Sequence, residues 1–354
     1  MISDYMPARI LPAWNLRDAL AWEGRRTLGS GFIGVALVML AMADDNITSS
    51  TWYWAWAVFG LGVVGAGWKW PGWLTAAAVG VVLASAYLAV LTSVLIGPGW
   101  WWISASIAII LTPLAALAFV RVDEGLLWGI SGAALANGLI MGWEWTEGVR
   151  RPSGLIPSPN SAAGLLAISF LWLTWKRWYA PAILSLLILP FSGSRLAVLS
   201  LAIVIGILCV KGHWRFLLVA SVAFVLALPI LDSILEQMRR ADGYTMTLTE
   251  RVIWNRPVNG LGHGYGSVEG WLPHNVPMRI VDEFGIPALL AWAVLVWLAL
   301  RRKAGIWWYL MVFVVLVGML DTYFWVGSVA GMFWAVSSGG QPQRDCKYQH
   351  PELY

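Results

Sequence analysis

The sequence predicts an all-α, polytopic integral membrane protein of about twelve transmembrane helices. Three observations predict it. Of 354 residues, 59% are hydrophobic and only 12% are charged, about half the charged share of a soluble domain, and mean hydropathy is +0.69. The apolar runs approach the length that crosses a hydrocarbon core of about 30 Å as a helix. Period-2 alternation is absent, which excludes a closed barrel, the other backbone arrangement that lipid allows.

Taken in chain order, residues 1–28 form an interfacial amphipathic segment. Leu11–Leu28 sets Trp14, Leu16, Leu20 and Trp22 against Arg17, Arg25 and Arg26, the pattern of a helix lying in the headgroup plane. It is charged throughout and lacks the apolar run and small-residue cleavage site of a signal peptide. Residues 29–337 form a single transmembrane domain, with spans at about 30–43, 52–68, 74–97, 100–120, 126–142, 161–175, 179–191, 195–210, 214–231, 279–300, 305–320 and 322–337. Residues 338–354 are a polar tail expected to be mobile. Tryptophans gather at run ends (Trp52, Trp54, Trp100–Trp102, Trp143, Trp145, Trp307, Trp308), where indoles favour the headgroup level. Cys209 and Cys346 offer neither a disulfide framework nor a zinc site.

Charge sets the expected orientation. With the N-terminus in the cytoplasm, the inner loops hold Lys69, Arg121, Lys176, Arg177, Lys211, Arg215, Arg301, Arg302 and Lys303, and the tail holds Lys347. All five lysines then lie inside, as the positive-inside rule requires. The outer face receives arginines alone: Arg150, Arg151, Arg195, Arg239, Arg240, Arg251, Arg256 and Arg279. A planar guanidinium grips phosphate bidentately where lysine offers a point charge. Arg239 and Arg240 also have a plainer reading, as solvated residues of a loop helix beside Glu236 and Asp242.

The outer loop 232–278 is the longest polar segment. Arg251 opens a stretch in which Gly260, Gly262, Gly264 and Gly266 alternate with other residues, a backbone free to approach a ligand closely. It lacks the Gly-Lys-Ser/Thr ending and the strand–turn–helix setting of a nucleotide loop. His274-Asn275 follows. A histidine at a membrane–water boundary suits a general base, and equally sits in loops without a role. Arg195 follows Ser192-Gly193-Ser194, a turn whose amides would face an anion; the alternative is an arginine that snorkels to the interface. Asn160 opens the sixth span, either as helix N-cap or as a site residue. Asp282 and Glu283 would orient the histidine or an arginine, while Glu283 would also suit a helix start. Glu144, Glu147, Arg150 and Arg151 would pair with one another or line an acceptor cleft. No paired-histidine helix, Asp-x-Asp or Cys/His spacing marks a metal.

In order, Asn160, Ser192-Gly-Ser-Arg195, Arg251-x-x-Trp254, Gly260-x-Gly262-x-Gly264 and His274-Asn275-x9-Gly285 resemble the O-antigen ligase / O-antigen polymerase superfamily of bacterial membrane glycosyltransferases. The resemblance covers about Asn160–Leu300 and is most specific at the His-Asn-x9-Gly element. It implies a GT-C-like helical fold with a large outer loop between spans nine and ten. It implies an undecaprenyl-diphosphate-linked glycan as donor and a lipid A core or polysaccharide as acceptor. By the match, His274 is the base, Arg195 and Arg251 hold the diphosphate, and Asn160 falls at the family's Asn-bearing helix start. Asn275, Arg256, Arg279 and Glu283 are further substrate-binding candidates. The implied chemistry needs no cofactor and no metal, inverts the anomeric carbon, and takes place on the outer face of the cytoplasmic membrane. Nothing in the pattern points to nucleic acid. The competing class is a transporter or flippase of a lipid-linked or anionic solute, which places charges inside spans, often on broken helices.

Overall fold

The computed structural model describes residues 16–43, 50–96, 101–149, 151–230, 260–261 and 276–320, with the isolated positions 333, 334, 336 and 339. Among them eleven α-helices run in order: α1 (Leu16–Ala43), α2 (Ser50–Ala66), α3 (Trp73–Ile96), α4 (Trp101–Ala115), α5 (Glu124–Thr146), α6 (Pro159–Trp175), α7 (Tyr179–Ile188), α8 (Arg195–Val210), α9 (Arg215–Ala227), α10 (Val276–Arg302) and α11 (Ile306–Leu320). Among the described residues, an antiparallel bridge joins Trp68 and Val120.

Four stretches are long and apolar enough to cross a membrane: Glu23–Ala43, Trp73–Val94, Glu124–Thr146 and Val276–Arg302. Shorter apolar helices include Arg195–Val210, Arg215–Ile230 and Ile306–Met319. The protein is thus a helical membrane protein. The segment read as an interfacial helix and the first span are continuous in α1. The stretch 322–337 lies outside the described residues except for Phe333, Trp334 and Val336.

Glycines set the closest helix contacts. A methyl group at Gly29 of α1 would overlap the backbone of α2 at Gly65 and Ala66, and one at Gly34 would overlap the Leu126 carbonyl of α5. Backbones meet this closely only where side chains are missing, the route by which membrane helices gain dispersion contact without a hydrophobic driving force. α1 is thereby held between α2 and α5.

α6 is the hub. Ser161 through Thr174 are buried without a break, and α6 packs against α5, α7, α8, α9 and α11. A helix apolar all round belongs in an interior. Trp172, wholly buried, meets Trp128 of α5 edge-on at 5.6 Å. By contrast α9 exposes Leu217, Leu218, Val222, Phe224 and Val225, as a lipid-facing surface does.

The helices alternate in direction, so the connections sort to two ends. One end joins the connections after α2, α4, α6, α8 and α10. Lys69 N–H donates to Phe119 O at 2.7 Å and Arg121 N–H to Gly67 O at 2.9 Å. Arg26 pairs with Asp123 at 3.2 Å, Lys176 with Glu124 at 2.5 Å, and Arg302 reaches Pro71 O and Thr75 Oγ1. His213 packs on Trp175, which also meets Tyr309. Counting described side chains only, this lysine-rich end gathers Arg25, Arg26, Lys69, Arg121, Lys176, Arg177, Lys211, Arg215, Arg301, Arg302 and Lys303 against Glu23, Asp123 and Glu124. The opposite end has Arg151, Arg195 and Arg279 against Glu144, Glu147, Asp282 and Glu283.

Candidate functional site

The lysine-poor end is assembled around the start of α6. Ser158 caps that helix by accepting from Ser161 N–H at 3.3 Å, with Pro159 at the first helical position, where a missing N–H costs nothing. Asn160 is therefore not the cap. As the second residue of α6 it holds its Oδ1 3.2 Å from Arg151 Nη2. The same guanidinium donates from Nε to Ser192 O at 3.3 Å. Arg151 thus ties the loop after α5, the start of α6 and the turn before α8.

That loop is itself fastened. Glu144 accepts from Ser153 N–H and Gly154 N–H at 2.9 and 2.8 Å. Asn137, buried in α5, donates to Ser153 O and accepts from Leu155 N–H. Gly154 has φ 66 and packs its backbone directly on the Asn137 amide, so a side chain there would be both strained and blocked. Glu144 consequently serves as a loop clamp and not as a partner of Arg151. Trp145 stacks on Phe191 at 4.6 Å with planes 3° apart, fixing the turn from the other side.

The Ser192-Gly193-Ser194 turn does not offer its amides to an anion. Gly193 N–H donates to Pro190 O at 2.9 Å and Ser194 N–H to Ser192 Oγ at 3.1 Å. Gly193 adopts φ 67, the left-handed conformation that suits glycine. The turn instead delivers Arg195, exposed, as the first residue of α8, three positions beyond the carbonyl that Arg151 holds. Two guanidinium groups flank one turn.

The second cluster lies in α10. Arg279 Nε sits 2.5 Å from Glu283 Oε1, both side chains buried, and Asp282 is buried beside them. Glu283 therefore holds an arginine one helical turn away and does not act as a cap. The helix breaks at Gly285, with φ 84 and ψ 177, a region of backbone space that is essentially glycine's alone. Ile286 N–H, freed by the break, donates to Gly260 O at 3.1 Å. The glycine-rich part of the outer loop is thereby joined to the helix at its interruption. The outer loop is expected to run through Met278 and span ten to begin at 279; the helix in fact begins at Val276, because hydropathy reports polarity and not backbone conformation.

His274, Asn275, Arg251 and Arg256 lie outside the described residues, as do Arg150, Arg239 and Arg240. Of the candidates, Asn160 joins Arg151 and Arg195 through the turn at Ser192, while Arg279 and Glu283 join each other. By sequence Arg151 reads as an outer-loop charge that pairs with its neighbours or lines an acceptor cleft. Its signal was the Pro152–Pro157 stretch, whose two prolines and Gly154 imply a loop that turns back on the next helix. In comparisons with known proteins, no family model matches the chain and no curated protein matches its sequence.

Proposed function

We propose that the protein is a glycosyltransferase of the O-antigen ligase or polysaccharide polymerase type. It would move a glycan from an undecaprenyl-diphosphate-linked donor to an acceptor hydroxyl on the outer face of a bacterial cytoplasmic membrane. The observation that carries this reading is Arg151, held on the Ser192 turn, with Arg195 opening α8 three residues on, at the end of the bundle away from the lysines. Arginines on the side that topology leaves poor in cations suit a dianionic leaving group.

The chemistry balances with protein groups alone. The acceptor oxygen attacks the anomeric carbon from the face opposite the diphosphate, His274 takes the hydroxyl proton, and the bond between the anomeric carbon and the diphosphate oxygen breaks, its electron pair leaving on undecaprenyl diphosphate. Arg195, Arg251 and Arg151 would stabilise the developing phosphate charge, and His274 would act as base. The test is complementation of ligase-null and polymerase-null strains, reading the lipopolysaccharide ladder. Restoration of neither ladder, with the protein present in the membrane, would remove the reading.

One observation favours a second reading. Arg279, Asp282 and Glu283 are buried in a helix broken at Gly285, and interrupted helices with enclosed charges are common at transporter sites. Uptake or flipping of a lipid-linked anion by reconstituted protein, undiminished in His274→Ala, would favour translocation.

A further inference from the structure

The lysine-rich end carries a second constellation, independent of the proposed transferase chemistry. The connections after α2 and α4 are joined by the Trp68–Val120 bridge. Arg121 is exposed, and its Nε donates to Trp68 O at 3.0 Å; its Nη groups make no further bond among the described residues. The connection after α10 is tied in by Arg302, which binds Pro71 O and Thr75 Oγ1 at 3.3 and 3.0 Å. Lys303 is buried behind it, donating to Gly339 O beside Trp307. Three loops thus hold cations against one another by backbone and side-chain bonds.

The crowding is visible in the lysines. Burial, and then the charge of Arg121, lowers Lys69 to about 8. Burial, and then the charge of Lys69, lowers Lys303 to about 7. Among the described residues, Asp123 serves Arg26 and caps α5, and Glu124 serves Lys176. Around the cations stand indoles: Trp68, Trp70 and Trp73 are each more than half exposed, and Trp70 packs on Phe119 and Trp73. Exposed indoles in a helical membrane protein mark the headgroup level.

We propose that Lys69 and Arg121, backed by Lys303 and framed by Trp68 and Trp70, seat the phosphodiester of an anionic phospholipid that lacks a compensating amine. The phosphate oxygens would accept charge-assisted bonds from the Arg121 Nη groups and the Lys69 ammonium. The acyl chains would run along the apolar surface below the indoles. A membrane supplies such an anion at high local concentration, which a soluble phosphate does not match.

The test uses the full-length protein in phosphatidylcholine nanodiscs with phosphatidylglycerol as a minority lipid, with retained lipids read by native mass spectrometry. Phosphatidylglycerol should be retained about tenfold over phosphatidylcholine. Arg121→Gln and Lys69→Gln should each abolish most of that preference. Lys69→Gln keeps the backbone bridge and so separates charge from folding. Lys211→Gln, at another connection of the same end, should leave it intact. Absence of a preference would overturn the proposal. Equal loss in Lys211→Gln would mean a diffuse field and not a seat, and equal thermal stabilisation by inorganic phosphate would exclude the lipid; either overturns it.

Discussion

Arg151 donates to Asn160 Oδ1 at 3.2 Å from the same guanidinium that holds the Ser192 carbonyl at 3.3 Å. One side chain therefore sets the spacing between the start of α6 and the turn that presents Arg195. Arg151→Lys keeps the charge and loses the fork. It should lower thermal stability by about 1 kcal/mol and reduce donor use about tenfold, because the Ser192 turn would no longer be held. Wild-type transfer in Arg151→Lys membranes would show that the bridge is unnecessary to the site.

Gly285 should tolerate no side chain. Its φ of 84 and ψ of 177 would cost alanine about 1–3 kcal/mol, and relief of that strain would straighten α10 and part Ile286 from Gly260. Gly285→Ala should raise protease sensitivity of the outer loop while the helix content measured by circular dichroism stays constant. Unchanged loop cleavage would dissociate the break from loop anchoring.

The Arg279–Glu283 pair is buried on both sides, so Glu283→Gln takes a carboxylate charge at 2.5 Å away from an enclosed guanidinium. Glu283→Gln should destabilise by about 3–5 kcal/mol, while the double change to methionines should be far milder. The check is a double-mutant cycle on thermal unfolding in detergent. Additive single losses would mean that the two side chains do not act as a pair.

Lys303 gives a pH signature. Its folded-state value is lowered from 10.5 to about 7, chiefly by burial, so between those values the unfolded chain binds more protons than the folded one. Stability should therefore rise as pH increases from about 7 towards 10, with the lower end lost to protonation of a buried amine. Lys303→Met should flatten that rise, as followed by melting temperature against pH. A slope retained in Lys303→Met would place the titration elsewhere.

His274→Ala should abolish glycan transfer while membrane insertion and lipid binding persist. Arg251→Lys and Arg195→Lys should weaken use of the diphosphate donor, since a point charge replaces a planar fork. Full activity of the alanine variant would eliminate the proposed base.

The helical class and the gathering of Lys69, Lys176, Lys211 and Lys303 at one end were legible, because hydropathy marks helix interiors and up-and-down alternation carries every second loop to the same side. The contact at Asn160 was not. It depends on a loop that reverses on Glu144 and Asn137, and such reversals are decided by hydrogen bonds between residues about nine to eighteen positions apart, which periodicity does not record. Gly285 stood in the motif by spacing alone. Its backbone angles now supply a physical reason for glycine there. The Ser192-Gly193-Ser194 turn misleads in the opposite sense: its composition suggests donors awaiting an anion, whereas the Pro190 carbonyl and the Ser192 hydroxyl take the amides of Gly193 and Ser194.

The enclosure of α6 constrains how the molecule can move. A rocking carrier needs a seam along which two halves slide, yet this rod of about 25 Å touches α5, α7, α8, α9 and α11, and any such seam must part some of those contacts. Motion is more cheaply accommodated at the rim, where α10 is already interrupted. On the transferase proposed above, the bundle would keep α6 as a stationary axle.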